Sequence, residues 1–208
     1  MPGTAAPGPN TGGTRMDVAV IGTGYIGGIL GRALARSGHT VTFGSRTPTD
    51  EKVTGDTDSR VASIPEALAA GEVVILAMPG KAVAELTAEH GALLHNRLVI
   101  DATNRMGQPV VNARSALPPD VRYARAFNTL GGENLENPVF PDGVADMFFS
   151  APGADRSTVE EVIRGVGLRP VFVGPDQEEI VDALFRLWVT LVMGQGRGRR
   201  LAFRLLED

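Results

Sequence analysis

The stretch VAVIGTGYIGGILGRALARSGHTVTFGSR, residues 18–46, decides the fold of this chain. It opens on an apolar run that predicts a buried strand, and residues 26–37 then show the spacing of an amphipathic helix. Gly22, Gly24 and Gly27 stand between them as G-x-G-x-x-G, the pattern that lets a backbone approach a pyrophosphate at a helix N-terminus. Because both flanks of the motif are present, we predict a dinucleotide-binding site.

The end of the next apolar run indicates which dinucleotide is bound. Ser45 and Arg46 follow that run, where NAD-binding domains usually place an Asp or Glu for the ribose 2′-hydroxyl. No carboxylate occurs between the end of this run and Asp50. Arg46 can pair with a 2′-phosphate and Ser45 can donate to it. The sequence therefore favours NADPH over NADH.

Short apolar runs alternate with helical patterns along most of the chain. Runs without in/out alternation are typical of a parallel sheet covered by helices on both faces. We predict an α/β fold, a doubly wound and mostly parallel sheet of the Rossmann NAD(P)-binding type. The predicted strands are residues 17–22, 40–44, 73–78, 98–102, 122–127, 146–150 and 170–173. The predicted helices are residues 26–37, 65–70, 82–94 and 156–166.

The domain organisation follows from changes in composition along the chain. Residues 1–15 are rich in Pro, Gly and Thr and predict a disordered leader, and residues 16–175 form the predicted NADP-binding Rossmann domain. Residues 176–208 carry apolar side chains at helical spacing and predict a small helical lid or dimerisation segment. Such a face is usually covered, so we expect either a homodimer or packing on the chain's own sheet. Trp188 is expected in that helix core.

Composition excludes several classes of function. The chain has 208 residues, no cysteine and a net charge of −4, so thiolate nucleophiles, disulfides and a nucleic-acid footprint are not expected. Its apolar runs are too short to span a bilayer, and no secretory signal precedes them, which favours a cytoplasmic protein without a membrane partner. The histidines, His39, His90 and His95, lack metal-ligand spacing, so no metal site is expected.

Six segments, in order over nearly the whole chain after Met16, resemble the coenzyme F420-dependent NADP reductases. The same fold is used in the oxidoreductase domain of the STEAP metalloreductases. The segments are IGTGYIGGILGRALARSGHTVTFGSR, VVILAMPGKAV, LVIDATN, ARAFNTL, VFVGP and GQGRGRRLAFRLL. The resemblance implies that NADP(H) lies across the strand ends and that a deazaflavin, coenzyme F420, stacks on the nicotinamide and exchanges a hydride with it directly.

Carried over onto this chain, the resemblance implies a set of cofactor-binding residues. They are Gly22, Thr23, Gly24, Tyr25, Ile26, Gly27, Ser45, Arg46, Met78, Pro79, Lys81 and Asn104. Two of these have ordinary structural alternatives. Pro79 would stiffen any loop, and the segment before Asn104 would equally suit a turn that is capped by Asp101 and Thr103.

The hydride acceptor is expected beside Asn128 and Thr129. Archaeal F420 reductases carry His at the position of Asn128, and an Asn can orient a carboxamide or a deazaflavin carbonyl but cannot shuttle a proton near neutral pH. The resemblance implies a second group of residues that bind the hydride acceptor, because F420 carries an anionic oligoglutamate tail. This group comprises Gly196, Arg197, Arg199 and Arg200, although arginines near helix ends are also common for dipole compensation.

Two other functions fit parts of the pattern. A β-hydroxyacid dehydrogenase or imine reductase shares the glycine motif, but those enzymes use a long helical C-terminal domain with a catalytic Lys, Asp or Tyr. Fewer than forty residues follow Val173 here, without Lys or Tyr. A non-enzymatic NADPH-binding sensor would also suit a site without an acid or a base. Reduction of a flavin, an imine or a quinone stays open as an alternative reaction.

Overall fold

The structure is a computed structural model that describes residues 14–48, 53–55, 57–104 and 112–207. Residues 1–13 of the predicted leader lie outside the described residues, as do Asp50 and Lys52 beyond the Ser-Arg pair. No helix within the described ranges has both the length and the apolar character that a membrane crossing needs.

Six parallel strands form the central sheet, in the order β3-β2-β1-β4-β5-β6. This is the common order of dinucleotide-binding domains, in which the chain reverses direction between β1 and β4 and leaves a crevice there. The predicted fold class is confirmed. The strands of the sheet are β1 (Asp17–Ile21), β2 (Thr40–Ser45), β3 (Arg60–Ser63), β4 (Val73–Leu76), β5 (Leu98–Asp101) and β6 (Arg122–Arg125).

Burial on both faces explains why the inner strands are apolar throughout. In β1, Val18 and Val20 pack into the apolar cluster on one face of the sheet, whereas Ala19 and Ile21 pack into the cluster on the other. All four are 1% exposed or less. Successive side chains of a strand point to opposite faces. A strand that is covered by helices on both sides is therefore apolar at every position.

The helices that cover the sheet begin and end close to their predicted bounds. Gly31 lies where a Cβ would stand 2.3 Å from the ring of Phe43, so this glycine lets the first helix pack closely on β2. A short fourth helix was not predicted, since five residues with a glycine at the start carry little periodicity. The helices are α1 (Tyr25–Arg36), α2 (Ile64–Ala70), α3 (Val83–His90), α4 (Gly132–Glu136), α5 (Arg156–Gly165) and α6 (Glu178–Val189).

The last strands depart from the prediction of one continuous sheet. A hairpin of β7 (Val139–Phe140) and β8 (Gly143–Val144) was not predicted, and β9 (Asp146–Phe149) pairs in parallel with β10 (Arg169–Phe172) as a separate ribbon. Arg125 and Ser150 exchange backbone hydrogen bonds of 2.8 and 3.1 Å in an antiparallel bridge. The ribbon is therefore attached to β6 at one point and in the opposite direction.

The C-terminal segment packs on the same domain. In α6, Val181, Phe185 and Trp188 are at most 4% exposed, which confirms Trp188 as a core residue. A π-helical turn, Thr190–Gly194, ends the helix, and the residues from 195 to 207 run on without regular structure. Phe203 accepts a 3.0 Å bond from Asp146 through its backbone, so this tail lies beside β9.

Candidate functional site

A cleft of about 790 Å³ lies at the carboxyl edge of the sheet, at the ends of the neighbouring strands β1 and β4. Its walls are the turn after β1, the end of β2, the loop after β4 and one side of α3. Eight of the residues that were predicted to bind the cofactor line it. They are Gly22, Thr23, Gly24, Ser45, Arg46, Met78, Pro79 and Lys81.

The three motif glycines have three different geometric roles. Gly22 has φ +120°, and a Cβ on it would lie 2.4 Å from the carbonyl oxygen of Ala77. A Cβ on Gly27 would lie 2.0 Å from the carbonyl oxygen of Gly22. Nothing lies within 4 Å of the Cβ position of Gly24. Gly22 and Gly27 thus allow the strand, turn and helix to pack together, and Gly24 faces open space that a ligand can approach.

The N-terminus of α1 faces the same space and lacks a capping side chain. Gly24 occupies the N-cap, and the first turn contains no acidic residue. The first backbone N–H groups of a helix have no partner within it, so they favour an anion. Tyr25 is 59% exposed, whereas the side chain of Ile26 packs against the core. Ile26 is thus positioned to offer a ligand its backbone N–H.

The end of β2 presents a free cation to the cleft. The hydroxyl of Ser45 donates to the carbonyl of Thr47 and accepts from its N–H, both at 3.0 Å, which closes a tight turn. Arg46, which lies within this turn, is exposed and forms no hydrogen bond or ion pair with any residue that the structure describes. Its guanidinium is available for a phosphate, while the hydroxyl proton of Ser45 is already engaged.

The loop after β4 and the side of α3 add charged residues to the cleft, of which the sequence analysis assigned only Lys81 to the cofactor. Lys81 follows β4 in a single 3₁₀ turn, and Glu85, Glu89 and His90 line the cleft from α3. His90 Nε2 lies 3.6 Å from a carboxylate oxygen of Glu89. Both carboxylates stand one turn apart on the helix, a spacing that indicates only an exposed polar face when it is read from sequence.

A buried polar network continues the carboxyl edge beyond β4. Asp101 accepts from the N–H groups of Thr103 and Ala113, at 2.8 and 2.7 Å, and from the hydroxyl of Tyr123 at 2.6 Å. Asp101 therefore holds the chain after β5, as the capping alternative predicted. Burial, and then the charge of Asp101, raise the pKa of Tyr123 well above its usual range.

A buried ion pair joins this network to the C-terminal helix. Arg125 is fully buried, and its Nη2 and Nε lie 2.8 and 2.9 Å from Oδ1 of Asp182 in α6. The same oxygen accepts a 3.1 Å bond from Nδ2 of Asn128. Sequence analysis missed both charged residues, which lie 57 positions apart. The available signal was an Arg between two alanines in a predicted strand and an Asp on the apolar face of a helix.

The predicted acceptor residues Asn128 and Thr129 are both fully buried. Phe127 precedes them with φ +63°, a left-handed conformation that is uncommon for a bulky residue and that turns the chain at the end of β6. Thr129 Oγ1 lies 3.6 Å from the sulfur of Met147, so Thr129 faces the core. Asn104 donates from Nδ2 to the carbonyl of Asn128 at 3.0 Å. The network therefore brings Asn104 and Asn128 together.

The C-terminal arginines differ in their surroundings. Arg199 pairs with Glu133, and the hydrogen bond between them lowers the pKa of Glu133 and raises that of Arg199. Arg200 donates to backbone carbonyls of Glu133, Asn137 and Val139 and so fastens the tail to α4. Arg197, after the positive-φ Gly196, has an exposed side chain without a partner in the described ranges. Of the three arginines, only Arg197 is free to meet a ligand.

A second, larger hollow of about 960 Å³ lies along α1, away from the carboxyl edge. Several arginines line it, but two of them are already paired, Arg164 with Glu160 and Arg169 with Asp146. The described residues contain no group of three or more metal-ligating side chains, in this hollow or elsewhere. The glycine turn and the free cations therefore make the smaller cleft the candidate site.

Comparison with known proteins supports the same region. Residues 17–105 match the model of a family described as NADP oxidoreductase, coenzyme F420-dependent. This segment contains β1 to β5 and every predicted cofactor-binding residue. The resemblance drawn from the sequence motifs is confirmed over these residues.

Solved structures show the same fold over most of the chain. A candidate F420-dependent NADP reductase from Arthrobacter sp. FB24 is 21% identical with a TM-score of 0.77, and the match covers 92% of this chain and 100% of that one. A hypothetical protein from Sinorhizobium meliloti is 24% identical, with a TM-score of 0.69 and coverages of 93% and 96%. An imine reductase from Streptomyces aurantiacus is 20% identical with a TM-score of 0.69, but this chain, matched over 85% of its length, covers only 61% of it.

Proposed function

We propose that this chain, whose residues 17–105 match the F420-dependent NADP oxidoreductases, transfers a hydride between NADP(H) and a deazaflavin or a similarly flat acceptor. The observation that carries the proposal is one cleft in which three features face the same space: a glycine turn, an uncapped helix N-terminus and Arg46, which pairs with no residue that the structure describes. The glycine turn and the helix N-terminus suit the pyrophosphate, and Arg46 suits the 2′-phosphate. The family match supports coenzyme F420 as the acceptor.

The residues present fit NADPH on geometric grounds. The open space at Gly24 would admit the pyrophosphate to the N–H groups of Tyr25, Ile26 and Gly27. Arg46 would pair with the 2′-phosphate through its planar guanidinium. The loop after β4, with Met78, Pro79 and Lys81, would border the cofactor on its other side. The second half of the sheet, from β4 to β6, would then receive the nicotinamide.

When bound, NADPH supplies the hydride, so the protein has to position two rings and keep water away. Two amide side chains follow β5 and β6 at this edge of the sheet, Asn104 and Asn128. An amide donates and accepts hydrogen bonds without gaining or losing a proton near neutral pH. These side chains are suited to orient a ring and its substituents, which supports direct transfer between two flat molecules.

The C-terminal segment supplies the proposed acceptor contacts. Arg199 lies near Tyr25 at the start of α1. The pKa of Tyr25 is raised by partial desolvation of its hydroxyl and by the nearby Glu133. Arg197 extends the same basic segment with a free guanidinium. We therefore assign recognition of an anionic acceptor tail to Arg197, with Arg199 and Arg200 holding the segment in place on α4.

A homodimer through α6 belongs to the same proposal. Ile180 and Leu187 are 47% and 46% exposed, so the helix is apolar on its outer side as well as its inner side. Glu179 and Arg186 lie two turns apart along one flank of this outer stripe. In an antiparallel pair of α6 helices the same flanks face each other, which would place Glu179 opposite the Arg186 of a second copy.

The test is spectroscopic. Purified protein is mixed with NADPH and oxidised F420, and the loss of deazaflavin absorbance is followed together with the oxidation of NADPH. The proposal expects both changes at equal rates. Unchanged deazaflavin absorbance, combined with turnover of FMN, an imine or a quinone, would assign another acceptor. Binding of NADPH without turnover of any of these acceptors would instead favour a sensor.

A further inference from the structure

We propose that Asn104 and Asn128 form a pair of hydrogen-bond acceptors for the amide NH₂ of nicotinamide, and that Asp182 is the residue that positions the pair. The inference rests on the proposed NADP(H) function and adds a determinant of cofactor specificity at its nicotinamide end. It also gives the C-terminal helix a role in the site.

The orientation of both amides is fixed by their partners. Nδ2 of Asn128 binds a carboxylate oxygen of Asp182 at 3.1 Å, and Nδ2 of Asn104 binds the backbone carbonyl of Asn128 at 3.0 Å. A carbonyl oxygen and an ionised carboxylate can only accept. Each of these contacts therefore requires the NH₂ of the amide, and each Oδ1 must point elsewhere.

Both of the remaining oxygens lack a partner. Oδ1 of Asn104 and Oδ1 of Asn128 are buried from solvent, and no described residue donates to either. A buried acceptor without a partner costs roughly 1 to 3 kcal/mol, and such groups are rare in native proteins. Thr103 Oγ1 and Arg125 Nη2 in the same network also lack a hydrogen-bond partner, but only the two amide oxygens are restricted to accepting. Because these two oxygens belong to residues that are hydrogen-bonded to each other, they indicate a missing donor group. A primary amide offers two N–H donors to two such oxygens.

The position of the pair agrees with this ligand. Asn104 follows β5 and Asn128 follows β6, at the edge where the second half of a dinucleotide binds. The charges nearby are the carboxylates of Asp101 and Asp182 and the guanidinium of Arg125, which give the network a net negative charge. Such surroundings favour an N–H donor and disfavour a carboxylate, so the pair would distinguish nicotinamide from nicotinate.

Asp182 is held so that it cannot release Asn128 by rotating. Nε of Arg125 donates to its Oδ1 at 2.9 Å, Nη2 of Arg125 lies 2.8 Å from the same oxygen, and Asn112 donates to its Oδ2 at 3.2 Å. The carboxylate is therefore fixed on both sides, and it fixes the amide of Asn128 in turn. Asp182 acts through Asn128, which makes it a positioning residue.

The experiment compares binding of three probes by titration calorimetry: NADP⁺, its nicotinate analogue, and 2′,5′-ADP, which has only the adenosine end. The wild-type protein should bind NADP⁺ at least about tenfold more tightly than the nicotinate analogue. Asn104→Ala and Asn128→Ala should each lower that ratio several-fold and leave the Kd of 2′,5′-ADP unchanged. Asn134→Ala is the matched control, because Asn134 is a fully buried Asn whose amide oxygen and nitrogen both have partners.

The outcomes separate the two proposals. Failure of the wild-type protein to bind NADP⁺ and 2′,5′-ADP would overturn the proposed function itself. Tight binding of NADP⁺ with equal affinity for the nicotinate analogue would overturn the acceptor pair alone. The double variant Arg125→Met/Asp182→Leu removes the acceptor that holds the amide of Asn128 and leaves the net charge of the network unchanged. A lowered ratio in this variant is expected if Asp182 positions Asn128, and an unchanged ratio would refute that role.

Discussion

Nη2 of Arg125 lies 2.8 Å from Oδ1 of Asp182, and this contact ties the end of β6 to a helix 57 residues further along the chain. Arg125 is 0% exposed and Asp182 5%. The contact is costly to break, because removal of Asp182 leaves the buried donors of Arg125 and Asn128 without their acceptor, even though Asp101 still faces Arg125. The contact therefore makes α6 an integral part of the domain.

Removal of one member of this pair should destabilise the protein strongly. We expect Asp182→Ala to lower the free energy of unfolding by about 3 to 5 kcal/mol in urea denaturation. The double variant Arg125→Met/Asp182→Leu should lose less, since the one charge of the network that stays buried, Asp101, keeps three hydrogen-bond donors. As a control, Glu160→Gln in the surface network with Arg156 and Arg164 should cost less than about 1 kcal/mol. Equal costs for Asp182→Ala and Glu160→Gln would contradict the buried pair.

Two glycines of the turn after β1 should respond differently to the same substitution. Gly22→Ala forces a side chain into φ +120° and against the Ala77 carbonyl, so we expect a loss of about 2 kcal/mol or more in unfolding free energy. Gly24→Ala meets no protein atom and should leave the melting temperature nearly unchanged while it weakens NADPH binding at least about tenfold. Thermal denaturation and calorimetry measure the two effects. Unchanged NADPH affinity in Gly24→Ala would refute binding of the pyrophosphate at this turn.

Local patterns made the fold and the adenosine end of the site predictable. The glycine motif and the Ser-Arg pair act through residues that are neighbours in sequence, and the structure places both in one cleft. The short strand β3 was missed because only Ala62 in it is fully buried, so it has no apolar run. The ion pair of Arg125 and Asp182 was missed for a different reason. It joins residues that are far apart in sequence, and no local hydrophobic pattern predicts such a contact.

Arg46, which has no partner among the described residues, should decide between the two dinucleotides. We expect Arg46→Asp to remove a charge-assisted contact of about 1.5 to 3 kcal/mol and to weaken NADPH far more than NADH, as measured by fluorescence titration. Arg36→Asp provides the control, because Arg36 is an exposed arginine in the last turn of α1, far from the cleft. Equal losses for NADPH and NADH in Arg46→Asp would refute the 2′-phosphate contact.

The outer face of α6 should control the oligomeric state. Leu187→Glu places a charge in the apolar stripe and should convert a dimer to a monomer in sedimentation velocity. Val139→Glu is the control, since Val139 is equally exposed, at 51%, but lies in the hairpin. Arg186→Glu should weaken the dimer, and Glu179→Arg/Arg186→Glu should restore it. A wild-type monomer at all concentrations, or a dimer that survives Leu187→Glu, would rule out this interface.

Substitutions of the C-terminal arginines should show which of them binds the acceptor and which stabilises the protein. Arg197 has a free side chain, so we expect Arg197→Ser to keep the melting temperature and to raise the Michaelis constant for F420 with a long oligoglutamate tail more than that for its tail-less fragment. Arg200 binds three backbone carbonyls and the amide oxygen of Asn134. Arg200→Ser should therefore lower stability by about 1 to 3 kcal/mol and affect both acceptors alike, because it loosens the tail as a whole. Steady-state kinetics with the two acceptors and thermal denaturation provide the comparison. If Arg197→Ser changes both Michaelis constants equally, the anionic tail is bound elsewhere.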